Sequence, residues 1–336
     1  MNYSHRFFLY APVAAIVALA AAVSIYWFVV AHDFSKRLEA LNGHNIAPGI
    51  SFHYDSKSIG GFPFRVDAVL QNMRITINAP HGPAVWQTEH FALHMLDYGR
   101  LQLVLEAAGK QALIWHDAKG ETRSIAFTPA LLRASAIAHG DRISRFDIEL
   151  FGADTKALSV AHTELHIRRA PHADALDIVF MADDVHLSPS LQAGLGGRIA
   201  KLRLGGRITP AREWSAFLSG KSDWRSAAGH WRTDSGAFDV ARLEIDWGKT
   251  KTTGSGLLTL DATRRPKGLI HLKIAGYEAL VRAAQQHSGT NLFSGLKAQA
   301  AQAGKTSGGP LPVTLAFKDG LAYAGHTPAG FLEPLY

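Results

Sequence analysis

The sequence predicts a mainly β (α+β) protein: one N-terminal transmembrane helix, then a large antiparallel β-sheet domain carrying a few helices. Three observations predict it. Phe7 to Val30 is a run of 24 residues without a charged side chain. Beyond it, segment after segment alternates polar and apolar residues, the 180° period of a half-buried strand. The breaks between them are short and built on Gly, Asp and Asn, which joins strands as antiparallel neighbours and leaves no room for βαβ crossovers.

The apolar run comes first. As a helix it reaches about 36 Å, enough to cross a hydrocarbon core of about 30 Å with some tilt. No second such stretch follows Ala31. Arg6 ahead of the run and Ala20-Ala21-Ala22 within it also fit a secretory signal peptide. Cleavage after Ala22 would leave Val23–Val30 (VSIYWFVV) apolar and without a partner in water. A signal-peptide core is also shorter, about 7–15 residues. Tyr26 and Trp27 stand near the far end, where amphipathic aromatics settle at the lipid–water boundary. The balance favours an uncleaved signal-anchor over residues 1–31, with Phe7, Tyr26, Trp27 and Val30 as anchor residues.

Charge alone does not orient it. His5 and Arg6 precede the run, while His32, Asp33, Lys36, Arg37 and Glu39 follow it. A six-residue tail cannot hold a folded domain, so the expected arrangement has the N-terminus in the cytoplasm and the main domain exported. In a Gram-negative cell that is a single-pass inner-membrane protein with its C-terminal domain in the periplasm.

The chain has no cysteine, so neither a disulfide nor a thiolate metal site supports an exported domain. With 47% apolar residues the core must do so. The net charge of +7 suits a domain held near anionic head groups. It would suit nucleic acid equally, but export argues against that partner, and the charges are dispersed rather than clustered.

After the anchor, Phe34, Leu38 and Leu41 recur at helical spacing, a stalk over residues 32–46 that Gly43, Asn45, Pro48 and Gly49 close. The β-rich domain over 47–336 admits a division into two sheet lobes, 47–140 and 141–336. Its strands include Phe64–Leu70, Met73–Asn78, Leu101–Leu105, Arg145–Leu150, Lys201–Leu204, Arg242–Trp247, Leu257–Leu260, Leu269–Ile274 and Pro312–Phe317. Thr209-Pro210 has the form of an N-cap with Pro at the first helical position, opening a helix through Leu218. Tyr277–Gln286 places Tyr277, Leu280, Val281 and Ala284 on one helical face, and Leu292–Ala303 forms a further helix. Leu96-Asp97-Tyr98-Gly99 and Ile245-Asp246-Trp247-Gly248 echo each other, which turn chemistry alone can produce.

Several of these segments occur in a set order. Gly60-Gly61-Phe62-Pro63-Phe64-Arg65-Val66 follows the anchor and stalk. Leu243-Glu244-Ile245-Asp246-Trp247-Gly248 and Gly254-Ser255-Gly256-Leu257 come later, and Pro310-Leu311-Pro312-Val313 through Asp319-Gly320 stands near the end. The ordered set resembles a family of Gram-negative single-pass envelope proteins known as a domain of unknown function, itself similar to the AsmA-like proteins at a distance. That resemblance implies long, curved antiparallel sheets with an apolar concave face, used in handling lipid. The chain is far shorter than AsmA-like proteins credited with bridging the periplasm, so bridging does not carry over. The family has no assigned catalytic residues to transfer.

A search for chemistry finds none above background. His162-Thr163-Glu164-Leu165-His166 puts two imidazoles and a carboxylate on one strand face, but about 13 Å separates the two histidines, too far to share an ion. It is not the helical His-Glu-x-x-His order. His90 and His94 meet the same limit on a strand. No Gly-x-Ser-x-Gly elbow is present. Gly304-Lys305-Thr306 lacks the leading Gly of a phosphate loop, because Gln299 stands there. Gly194-Leu195-Gly196-Gly197 follows no strand, and Asp183-Asp184 would face opposite ways on one. No catalytic, cofactor or metal residues are therefore expected. Trp224 and Trp231, in a polar Gly- and Ser-containing stretch, are the candidates for a lipid or partner contact, although large aromatics are first of all core material.

The expected function is a non-enzymatic module of the cell envelope that binds or passes lipid, glycolipid or another amphiphile. The alternative is a structural or assembly factor that binds another envelope protein through its sheet. An enzyme acting on envelope glycolipid is disfavoured by the motif search.

Overall fold

A computed structural model describes residues 4–79, 81–96, 102–117, 119–140, 142–192, 194–286 and 309–336; side chains 4–9, 96 and 283–286 lie outside that description. The first element is one unbroken helix, α1 (Ser4–Leu41). Its lower part is exposed and apolar: Val13, Ile16, Val17 and Leu19 are all more than half exposed. Its upper part is docked. Trp27, Ala31, Phe34 and Leu38 fall at i, i+4, i+7 and i+11, one stripe of a 3.6-residue helix. The stripe packs on Val66, Ala68, Leu70 and Met73 of the sheet.

The expected stalk therefore ends early. Helix α1 stops at Leu41, where Gly43 takes φ +80° and donates its N–H to the Phe52 carbonyl at 2.8 Å. Residues 44–47 then begin the sheet.

The first half of the sheet comprises β1 (His44–Ala47), β2 (Ile50–His53), β3 (Ser56–Gly60), β4 (Arg65–Ala79), β5 (Gly82–Leu96), β6 (Gln102–His116), β7 (Thr122–Phe127) and β8 (Leu131–His139). Next are β9 (Arg142–Asp154), β10 (Leu158–Arg169), β11 (Leu176–Leu187) and β12 (Arg198–Thr209). Helices α2 (Arg212–Leu218) and α3 (Trp224–Thr233) are inserted there. The second half closes with β13 (Ala237–Trp247), β14 (Thr250–Leu260), β15 (Pro266–Ala275), α4 (Tyr277–Gln286), β16 (Leu311–Lys318), β17 (Leu321–Ala324) and β18 (Thr327–Phe331).

Every described pairing is antiparallel and nearly every neighbour is sequential. β2 and β3 share one edge of β4, and β7 and β8 share one edge of β6. From β8 the meander runs strand by strand to β18 and is not closed. Hydrogen bonding continues across residue 140, where β8 pairs with β9 from Leu131↔Phe151 to His139↔Arg142.

The sheet is curled. Between β1 and β9 lie six strand steps, about 29 Å if flat. Yet Ser219 Oγ accepts the Ile143 N–H of β9 at 3.3 Å, while a Cβ on the next residue, Gly220, would lie 3.6 Å from the Ala47 Cβ of β1. Consecutive residues touch both strands, so the first half of the sheet bends back around α1.

Three local readings change. Phe64–Leu70 and Met73–Asn78 are one strand, interrupted only by Asn72 at φ +51°. Thr209 is still paired with Ala237, so Pro210 precedes the helix and Ala211 occupies the N-cap. Helix α3 was not expected; its signal was Asp223, whose Oδ1 accepts the N–H groups of Arg225 and Ser226 at 3.0 Å. The expected Leu292–Ala303 helix and the Gly304-Lys305-Thr306 turn lie outside the described residues.

Candidate functional site

Because residues directly opposite in a ladder share a face, the register orders the apolar side chains into rows across the sheet. One row starts beneath α1 at Ala68, Leu93 and Leu105 of β4–β6. It continues through Ala134, Ile148, Leu165, Phe180, Leu204 and Leu243 of β8–β13. It ends at Gly254, Leu272 and Val313, beside α4. A second row (Leu132, Leu150, Thr163, Ala182, Leu202, Ile245) and a third (Ala136, Phe146, Ile167, Ile178) flank it.

The row is sealed at its ends and open in the middle. Ala68 is 0% and Val313 2% exposed, each in a buried cluster. From Ala134 to Gly254 every member is half-buried, and none belongs to a buried cluster among the described residues. Those seven strands span about 29 Å at 4.8 Å per step. The result is an apolar strip of strand surface with no second layer packed on it among the described residues.

The opposite face is ionic. One residue along each strand, the row Glu106–Arg133–Glu149–Glu164–Met181–Arg203–Glu244 replaces the apolar one. Arg133 bonds Glu106 at 2.8 Å, Asp183 receives Arg203 at 2.5 Å, and Arg242 spans Glu244 at 2.9 Å. Asp184, next to Asp183, pairs instead with Arg198 at 2.5 Å, so the two acids serve different partners.

The five-residue histidine segment lies on β10 with both imidazoles and Glu164 on this ionic face. Glu164 stands between them, 3.1 Å from His162 Nε2 and 2.7 Å from His166 Nε2. What the sequence did not reveal is the neighbouring strand: Asp147 lies 2.7 Å from His166 Nδ1, and Glu149 lies 3.5 Å from His162 Nε2. Phe151 stacks flat on the His162 ring at 4.0 Å. Glu149, His162 and Glu164 thus each offer a ligand atom within 4.8 Å of the others, spacing that could hold a cation. The signal for it was the β9–β10 register, which no spacing within one strand contains. His94 joins Asp67 at 2.8 Å on the same face, on strand β5.

Burial lowers the His166 pKa, but its hydrogen bonds to Asp147 and Glu164 outweigh that and raise it above the ordinary imidazole value. Burial raises the Asp147 carboxyl, and the bonds from His166 and Arg145 overcome this and hold it below the usual range. The pair is an ion pair in the making, on a solvent-facing surface.

The aromatic candidates separate. Trp27, expected at the lipid–water boundary, is 7% exposed and its indole N–H donates to the Arg65 carbonyl at 2.7 Å. Tyr26 is 55% exposed, Val30 packs near Val66, and Phe7 falls on α1 with its side chain outside the description. Val23–Val30 is thus not wholly without a partner, because Trp27 and Val30 turn toward the domain. Trp231, singled out as a contact residue, is buried instead: it packs on Trp214 at 6.0 Å and donates to the Thr209 carbonyl at 2.9 Å. Burying the indole where its N–H finds a partner satisfies both halves of the side chain. Trp224 is half-buried against Tyr336 at 5.7 Å.

Fold and surface together define a β-rich protein with one apolar N-terminal helix and a two-faced curled sheet. The chain belongs to the DUF2125 family, described as uncharacterized protein conserved in bacteria, whose match covers residues 27–332. No curated protein and no solved structure matches it. The match begins at Trp27, the first residue of α1 in a buried cluster among the described residues.

Proposed function

We propose that the chain is a single-pass inner-membrane protein whose sheet, on the periplasmic side of the bacterial envelope, binds or passes lipid without catalysis. The observation that carries this is the open apolar row from Ala134 to Gly254, bounded by sealed ends and backed by an ionic face. Water gains nothing from about 29 Å of such surface, whereas acyl chains, about 15 Å long in one leaflet, would remove it from water. The membrane tether supports it. Twenty uncharged residues, Phe7 to Tyr26, precede the docked part of α1 and reach about 30 Å, one hydrocarbon thickness.

The test is lipid extraction and mass spectrometry on the full-length chain purified in a neutral detergent. Wild type is expected to carry phospholipid in stoichiometric amount, and Phe180→Glu with Leu204→Glu to lose it while keeping the thermal transition. Wild type without lipid would end this reading. A second reading rests on β18, which pairs only with β17 among the described residues and leaves Phe331 89% exposed. Such an edge suits strand addition by another envelope protein. Crosslinking from position 331 to a discrete partner in cells would favour it.

A further inference from the structure

The β9–β10 ladder sets two glutamates face to face. Glu149 and Glu164 are directly opposite each other, and His162 stands two residues from Glu164 on the same face. Like charges at facing positions destabilise a ladder. The arginines around the pair are engaged elsewhere. Arg133, opposite Glu149 on β8, bonds Glu106, and Arg145 holds Asp147. Arg203 bonds Asp183, the residue opposite His162 on β11, while Lys201 faces Asp183 and Asp246.

His162 completes a set of three ligand atoms. Its Nε2 lies 3.1 Å from Glu164 Oε1 and 3.5 Å from Glu149 Oε1. That nitrogen is buried from water, yet it makes no hydrogen bond with either oxygen. Phe151, which faces His162 across the ladder, stacks on its ring at 4.0 Å and fixes the ring plane. A buried polar atom without a partner is costly, and a cation between the three atoms would satisfy all of them.

We propose that Glu149, His162 and Glu164 bind one divalent transition-metal ion of the zinc class and leave its fourth position to water. Around a tetrahedral zinc, bonds of about 2.0–2.1 Å put ligand atoms about 3.3 Å apart. The two distances from His162 Nε2, 3.1 and 3.5 Å, bracket that value. All three atoms lie within 4.8 Å of one another, close enough for a carboxylate rotation to bring them onto one ion. One imidazole with two carboxylates suits zinc, whereas calcium and magnesium call for oxygen ligands throughout. The outer shell is built as well. His166 Nε2 holds the other oxygen of Glu164 at 2.7 Å, and Asp147 holds His166 Nδ1 at 2.7 Å. That chain orients the Glu164 carboxylate, as outer-shell partners do at metal sites. His162 and His166 thus need not share the ion: one ligates, and the other positions a ligand.

The experiment uses the full-length chain in a neutral maltoside detergent, stripped with a chelator and dialysed into metal-free buffer. Zinc chloride is titrated in competition with a chromophoric chelator, and thermal unfolding is followed with and without zinc. Wild type is expected to bind one zinc tightly and to melt at a higher temperature with it. An outer-shell partner is worth about 10–100-fold in affinity, so His166→Gln should weaken the site about tenfold. Glu149→Gln and His162→Gln each lose a ligand and should weaken it by about 100-fold or more. His271→Gln, which removes an exposed imidazole on β15, should leave it unchanged. Metal-free Glu149→Gln is expected to melt at or above the wild-type temperature, since one of two facing charges is gone, which separates lost binding from lost folding. Wild type that binds no zinc overturns the site. So does zinc held equally well by Glu149→Gln and His162→Gln, or lost equally in His271→Gln. Calcium bound in preference to zinc would overturn the imidazole as a ligand and the proposal with it. None of these outcomes depends on whether the apolar strip binds lipid.

Discussion

Trp27 of the helix and Arg65 of the sheet, 38 positions apart in the chain, are joined by one hydrogen bond: the indole N–H donates to the Arg65 carbonyl at 2.7 Å. Around it the indole packs with Val66, which is 0% exposed, and edge-on to Phe62 at 5.3 Å. This contact marks where the apolar helix stops being exposed and becomes part of the domain. Trp27→Ala removes both the packing and the donor, at an expected cost of about 3–5 kcal/mol. Trp27→Phe keeps most of the packing and costs about 1 kcal/mol. Thermal unfolding of the full-length chain in detergent checks the order of the two.

The same carbonyl restricts Gly61. Its φ is +96°, and a Cβ there would stand 2.6 Å from the Arg65 oxygen. Gly61→Ala is expected to lose about 1–3 kcal/mol through backbone strain and displacement of that oxygen. Because Trp27→Phe acts through the same atom, the double variant should lose less than the sum of the two single variants. Additive losses would show that the glycine acts independently of the indole.

Phe62 stacks on Phe28 at 6.1 Å, and Phe28, Phe62 and Phe64 are 64%, 52% and 72% exposed. This aromatic cluster surrounds the point where α1 docks, the level at which a membrane surface would meet the domain. The chain has no native cysteine, so Phe64→Cys can carry a single environment-sensitive dye. In liposomes its emission is expected to shift to the blue and resist iodide quenching, whereas the same dye at Phe331→Cys stays accessible. Equal quenching at both positions would place the loop away from lipid.

His166 makes stability depend on pH in a predictable direction. Its folded pKa is raised above 6.5, so its contribution is fully present below that value and is lost as pH rises through the folded pKa. Asp147 is lowered below 3.8, so its contribution holds above that value and is lost as pH falls through its folded pKa. Between pH 6 and 9 wild type should therefore lose more stability than His166→Gln, and the two melting curves should converge at the alkaline end. Parallel pH profiles would show that the imidazole gains nothing from its carboxylates.

Much of the fold was legible because strand alternation and turn residues are local. Met73–Asn78, Arg145–Leu150 and Arg242–Trp247 read as strands from their own residues, and Tyr277–Gln286 as a helix from its apolar face. Misreadings came where a partner element decides. Thr209 stays in the sheet because Ala237 pairs with it, and Trp231 is core because Thr209 offers its carbonyl. The Asp147–His166 and Glu149–His162 contacts cross two strands, so the spacing within His162–His166 could not contain them.

By itself the sequence determined a single apolar segment long enough to span a bilayer, and a domain of antiparallel strands, since both depend on residues close together along the chain. Tertiary structure alone decided that α1 is docked from Trp27 onward. It also decided that the apolar residues of β8–β14 form one half-exposed row. Those facts depend on register and curl, which place residues from distant parts of the chain on one surface.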